Sequence, residues 1–232
     1  MLGIIGALDI EVEGIISKMT DTSVKTISSV RYTRGTLNGT ECVVAKCGIG
    51  KVNAAMCAQT MILEYSPDRI INTGIAGSTS EKTHIGSIVI ASLVVQHDFD
   101  TTVLGDEEGT LFLPEESLIY IPADQELTNE LIHVCDRLRD IDYELGVIAT
   151  GDRFIGSIEE RQHLNESFSA IACEMEGGSI GQVCYINKVP FTILRSISDD
   201  SSSDEGSDIE YSTFSRSAAE KAIEIIDSFT KK

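Results

Sequence analysis

The amino-acid sequence predicts an α/β fold: one domain in which a central sheet is sandwiched between helices. Three observations predict it. Short continuous apolar runs, the pattern of strands covered on both faces, alternate with helical patterns along the chain. Asn38-Gly39 between two β-rich runs marks a hairpin, so the sheet is mixed rather than purely parallel. No linker or internal repeat divides the 232 residues, and that length buries a sufficient core without staples or metals.

The elements follow in order. Leu2–Ala7 is a buried strand, and Asp9 is placed to cap a helix running to about Met19. Val30–Leu37 and Thr40–Cys47 form the hairpin. Gly48-Ile49-Gly50 turns the chain into a helix over Lys51–Glu64. Arg69–Asn72 is a strand ending in Thr73-Gly74-Ile75-Ala76-Gly77, and Ile85–Ala91 is another. Residues 98–123 read as irregular. Gln125–Leu138 is an amphipathic helix, Glu144–Thr150 a strand, Ser157–Leu164 a short helix and Ala170–Glu174 a strand. Glu176–Ile186 is a helix whose Gly-Gly start permits close packing; Pro190–Ile197 is the last strand and Tyr211–Thr230 the closing helix.

Composition excludes several functions. Eighteen basic against 37 acidic residues leave a net charge of −19, which repels phosphate backbones and anionic lipid. Nucleic-acid and membrane-surface binding are not expected. Six cysteines form no CxxC pair, so buried free thiols are expected in place of disulfides or zinc. The N-terminus lacks a cationic leader, and the longest apolar stretch, 85–95, is too short to span a bilayer. A cytoplasmic protein is expected. GIGK at 48–51 fails as a phosphate loop, with Ala45 and Val52 where Gly and Ser/Thr are required. His84, His97, His133 and His163 share no ligand spacing, and no nucleophile elbow is present.

Ligands in open α/β sheets gather at the carboxyl ends of strands. Those tips here carry Glu11, Glu174, Glu176 and Asp199. Two carboxyl groups, one protonated and one ionised, are the equipment for cleaving a glycosidic bond, N-glycosides included. Holding an aspartic acid protonated at neutral pH costs about 4 kcal/mol against its reference value, so it needs burial and a hydrogen bond to substrate. Arg195, four residues before Asp199, reads either as a salt-bridge partner at the core edge or as part of the site. The run DDSSSDEGSDIE at 199–210 lacks the EF-hand order and reads as a solvated loop.

Six segments carry a resemblance: GIIGALDIEVE (3–13), LNGTECVVAKCGIGKVNAA (37–55), INTGIAG (71–77), TGDRFI (150–155), CEMEGGSIGQVC (173–184) and VPFTILRSISD (189–199). In this order they resemble the 5′-methylthioadenosine/S-adenosylhomocysteine nucleosidases of the nucleoside phosphorylase superfamily, over nearly the whole chain. The resemblance implies one catalytic domain over 1–232, with a three-layer sandwich whose mixed sheet is barrel-like. It implies hydrolysis of the N9–C1′ bond of a 5′-thio adenine nucleoside, as in methionine salvage, with no cofactor and no metal. Glu11 would activate water and Asp199 would protonate adenine N7. Glu176 would bond the ribose hydroxyls and Met175 pack beneath the sugar. Phe154 would stack on adenine and the Ile155 backbone read its edge, with Arg195 and Ser198 in support. A homodimer is implied, the partner closing the 5′ pocket.

The chain departs from the family pattern at defined positions. Ile75 stands where the family usually has a Ser that helps hold the water, Ser78 where Gly is usual, and Leu8 where Met is common. Leu104 takes an aromatic position, and the acidic loop before Tyr211 and Phe214 is slightly longer. These changes bear on the water site and on 5′-substituent preference. Segment 98–114, with Val103, Leu104, Leu111, Phe112 and Leu113, is too apolar for a free loop and is expected to bury against a second subunit.

Overall fold

The computed structural model describes residues 1–199 and 207–231, and of 207–213 the backbone alone. Strands β1 (Leu2–Gly6), β2 (Thr20–Ile27), β3 (Val30–Leu37), β4 (Thr40–Lys46), β5 (Arg69–Ser78) and β6 (Ile88–Gln96) lead into two-residue β7 (Leu111–Phe112) and β8 (Ser117–Leu118). Strands β9 (Tyr120–Pro122), β10 (Tyr143–Thr150), β11 (Ala170–Glu174) and β12 (Phe191–Asp199) complete the set. The helices are α1 (Asp9–Ile16), α2 (Lys51–Tyr65), α3 (Gln125–Leu138), α4 (Ile158–Phe168), α5 (Gly177–Asn187) and α6 (Ser207–Thr230).

The main sheet runs β11-β10-β6-β12-β5-β1-β4-β3-β2, with β9 added beside β6. It is mixed: β5 pairs in parallel with β1 and β12, whereas β12 meets β6 antiparallel. A further antiparallel contact, Ala172 with Ser78 and Cys173 with Gly77, joins β11 back to β5. That contact closes β5, β12, β6, β10 and β11 into a ring, the barrel-like part of the sheet. Helices cover both sides. Strands β1, β11 and β12 are buried along their whole length, which is why β1 and β11 read as short apolar runs, whereas β12 also buries Thr192, Arg195, Ser196, Ser198 and Asp199. One cluster of buried side chains, including Ile5, Met61, Ile70 and Phe191, packs the sheet against α2 and α5. Another, including Ile4, Leu131, Leu194 and Ile226, packs it against α1, α3 and α6.

Local chemistry sets the ends of the elements. Asn38 and Gly39 both have positive φ, as a tight hairpin turn requires. Asp124 caps α3 by accepting from Leu127 N at 2.8 Å, and Ser157 caps α4 from Glu160 N at 3.2 Å.

Several boundaries differ from expectation. Strand β2 was not foreseen: it is exposed almost throughout, so no apolar pattern marks it. Asp9 is not a cap; Leu8 takes that place, and the Glu11 side chain reaches back to its N–H. β5 and β12 run on through their polar tips, and β6 starts three residues later than expected and ends at Gln96. Within 98–123 there are a short 3-10 turn, the β7–β8 pair and β9. All six cysteines are buried and unpaired. No helix among the described residues is long and apolar enough to cross a membrane.

Candidate active site

The ends of β1, β5, β11 and β12 surround a cleft open to solvent. Leu8, Glu11, Ile75, Phe154, Ile155, Met175, Glu176, Ser198 and Asp199 all line it. Its two predicted aromatic and sulfur-bearing walls, Phe154 and Met175, thus face the same space as four carboxyl-bearing residues, Glu11, Glu174, Glu176 and Asp199.

Glu11 is held by backbone alone. Its Oε2 accepts from Ala7 N at 2.6 Å and Leu8 N at 2.9 Å, and its Oε1 from Ile75 N at 3.1 Å. Gly74 makes this approach possible, because a Cβ there would lie 2.6 Å from Oε1. Burial raises the Glu11 pKa, against the lowering effects of Arg195 and the three N–H groups. Such a carboxylate is a stronger base than one in water.

Glu176 starts α5 and reaches across the cleft to accept from Gly50 N at 2.8 Å. Burial, reinforced by the neighbouring Glu174, pushes its pKa up to about 7. Asp199 ends β12, with Ser198 Oγ donating to its Oδ1 at 2.7 Å and Arg161 paired with its Oδ2.

Arg195 does not line the cleft. It lies behind the carboxylates, 1% exposed, ion-paired with Glu174, donating to Asn72 Oδ1 at 2.6 Å and 4.0 Å from Glu176 Oε2. Arg195 thus forms the buried salt bridge that one of its two readings expected. Glu174 also accepts from Glu176 N at 3.0 Å and Gly177 N at 2.7 Å, and bonds the Thr150 hydroxyl. This braces the turn that aims Met175 and Glu176.

Ile75 serves two surfaces. It lines the cleft and also packs with Ala218 and Ala219 of α6 and with Leu8 and Ile10. Leu104 is 79% exposed and Phe214 39% exposed, and neither lines the cleft of this chain. Tyr211 and the acidic run after Asp199 fall outside the described side chains. Buried His97 stands apart from the cleft with Nε2 unpartnered.

Sequence reasoning missed Ile49, Arg153 and Cys173 in the lining, the Gly50 N–H and, above all, Arg161. The available signal for Arg161 was its place on one helical stripe with Leu164 and Phe168, where an arginine is out of pattern.

Comparison with known proteins places this cleft in context. Residues 1–231 match the Phosphorylase superfamily, which defines the class. A 5′-methylthioadenosine/S-adenosylhomocysteine nucleosidase of Shewanella loihica is 38% identical over 216 residues, 90% of each chain. A mutant of the Helicobacter pylori enzyme of that name, with 5′-methylthioadenosine in its active site, superposes with a TM-score of 0.92 at 30% identity, covering 98% of this chain and 96% of the other. Futalosine hydrolase of Helicobacter pylori gives 0.91 at 31% identity, covering 98% and 96%. The chain belongs to the 5′-methylthioadenosine/S-adenosylhomocysteine nucleosidase family and is an N-glycosyl hydrolase of that type.

Proposed function

We propose that the protein hydrolyses 5′-methylthioadenosine and S-adenosylhomocysteine to adenine and a 5-thioribose, with the chain acting as one catalytic domain over 1–232. The observation that carries this reading is the convergence of Glu11, Glu176 and Asp199 on one cleft walled by Phe154 and Met175.

Adenine stacks on Phe154 and its edge bonds the Ile155 backbone, which orients N7 toward Asp199. Ribose lies over Met175 with its hydroxyls donating to Glu176. As the N9–C1′ bond breaks, its electron pair passes to adenine and the Asp199 proton passes to N7, so adenine leaves neutral. Positive charge grows on the ribosyl ring, and the carboxylates Glu11 and Glu176 stabilise it. Glu11 takes a proton from the water that bonds to C1′. Arg195 offsets the packed carboxylates from behind, and Ser198 fixes one oxygen of Asp199. Leu8 and Ile75 shape the wall beside Glu11. The Ile75 backbone N–H still bonds Glu11, although the side chain offers the water nothing.

Phosphorolysis is disfavoured by this lining. Its one cationic side chain among the described residues, Arg153, is ion-paired with Glu160. The likeness to futalosine hydrolase favours a second reading, in which a related adenine nucleoside with another 5′ group is the preferred substrate.

The protein is proposed to work as a cytoplasmic homodimer. Ile49, Val52, Met56, Val103, Leu104 and Phe112 are exposed, and the Lys51–Asp98 ion pair ties the start of α2 to the segment carrying the last three. Such a concentration of apolar surface supports burial against a second copy, which brings Leu104 toward the 5′ end of a partner's cleft. Free buried thiols support a reducing compartment.

A coupled adenine-release assay, with and without phosphate, on methylthioadenosine, adenosylhomocysteine, adenosine and aminodeoxyfutalosine tests the reading. Phosphate-independent release fastest from the two thio-nucleosides is expected. Strict phosphate dependence with a ribose 1-phosphate product overturns it.

A further inference from the structure

Arg161 is a side chain that the reaction scheme above leaves unused. It projects from the buried stripe of α4, 1% exposed. Its Nη1 donates to the Ser78 carbonyl at 2.9 Å, and its Nη2 is paired with Asp199 Oδ2. The Ser198 hydroxyl occupies Oδ1 at 2.7 Å, so each oxygen of Asp199 has one fixed donor. The pair also dictates its neighbour: a Cβ at Gly77 would lie 2.9 Å from Asp199 Oδ2 and 3.1 Å from Arg161 Nη1. An arginine and a carboxylate taken out of water together lose several kcal/mol of hydration each, recovered only in well-satisfied geometry. A helix covering a barrel has no need of such a residue for packing; Leu or Met fills that stripe at lower cost.

We propose that Arg161 is the positioning residue for Asp199. The inference rests on the reading of Asp199 as the donor to N7. Anchored on the Ser78 carbonyl, the guanidinium holds Oδ2, so the transferable proton sits on Oδ1, which also accepts from the Ser198 hydroxyl. When the Asp199 O–H bond breaks and the N7–H bond forms, a carboxylate is left beside the guanidinium. The hydrogen bond from the guanidinium to a neutral acid becomes an ion pair with a carboxylate at that moment. Arg161 therefore acts on the chemical step and not on substrate binding, while touching no substrate itself.

A double-mutant cycle with methylthioadenosine tests this, using the full chain and checking each variant for a cooperative melt. R161M is expected to lower kcat at least about tenfold with KM changed less than about threefold. R161K, which keeps the charge, recovers part of that loss. In the D199N background R161M changes kcat by less than about twofold, because the group through which it acts is gone. Equal losses in both backgrounds make Arg161 a structural residue and overturn the proposal, as does unchanged kcat in folded R161M. If R161M does not fold, R161K carries the cycle; its shorter reach gives a loss of about threefold that D199N abolishes. Near-normal turnover by D199N itself overturns the reading of Asp199, an outcome separate from those that overturn Arg161 alone.

Discussion

Replacing Glu176 by Gln isolates the electrostatic cost of assembling this site. The amide keeps the shape, and its oxygen can still accept the Gly50 N–H now bonded at 2.8 Å. In the native chain, burial and Glu174 raise the Glu176 pKa from 4.5 to about 7. The folded protein therefore binds this proton more tightly than the unfolded chain does. The cost to stability is nil below about pH 4.5, grows as pH rises toward 7 and is constant above it. At about 1.4 kcal/mol per pH unit, that rise amounts to about 3 kcal/mol. Denaturant unfolding of both proteins at pH 4 and pH 8 measures it. Glu176→Gln is expected to be more stable than the native protein at pH 8 by up to about 3 kcal/mol and little different at pH 4. The same variant loses a charged acceptor for the ribose hydroxyls, at about 1.5–3 kcal/mol, so kcat/KM falls roughly 10- to 100-fold. A stability difference that is the same at both pH values would refute the argument, since only a titrating group makes it pH-dependent.

Other outcomes follow from the same geometry. Glu11→Gln and Asp199→Asn are each expected to lower kcat by at least about 100-fold while methylthioadenosine still binds by equilibrium dialysis; near-normal turnover removes the assigned role. Because burial raises the pKa of both Glu11 and Glu176, the native kcat/KM is expected to fall on acidification from a pH above the ordinary carboxylate range; Glu11→Gln loses the Glu11 contribution to that limb and keeps the Glu176 one. Ile75→Ser gives the water a hydrogen bond but removes apolar contact with Ala218 and Ala219. A few-fold rise in kcat on methylthioadenosine, a changed ratio to adenosine and a melting point lowered by a loss of about 2 kcal/mol are expected. Unchanged kinetics make Ile75 purely structural. Light scattering at micromolar concentration is expected to give about twice 25.1 kDa, and Leu104→Asp to shift the protein toward monomer.

What was legible in the sequence was whatever leaves a periodic or contiguous trace. The buried strands β1, β4 and β11 announced themselves as apolar runs, and the carboxylates of the cleft as polar residues directly after such runs. The exposed β2 left no trace because an edge strand with solvent on it need not alternate. Arg195 was visible but its partner was not: the pairing with Glu174 spans 21 residues and depends on how β11 and β12 lie in the ring. Leu104 was expected on the strength of the family pattern, and it is exposed and does not line the cleft of this chain. Arg161 and the Gly50 N–H were hidden for the same reason. Each acts on a group that is distant in sequence, and only the closed sheet brings them together.

The strand order places β12, the last strand of the chain, between β5 and β6. Before residues 191–199 dock, the sheet is two separate pieces, β5-β1-β4-β3-β2 and β6-β10-β11, joined by the short β11–β5 contact alone. Pairing of this kind spans more than a hundred residues of chain (Ile193 beside Asn72, for example) and is a late, slow event in folding. On a ribosome, both pieces emerge with open edges and wait for the strand that fits between them. Asp199, the proposed catalytic acid, sits on that keystone strand, so a chain too short to finish its sheet also lacks the proposed proton donor.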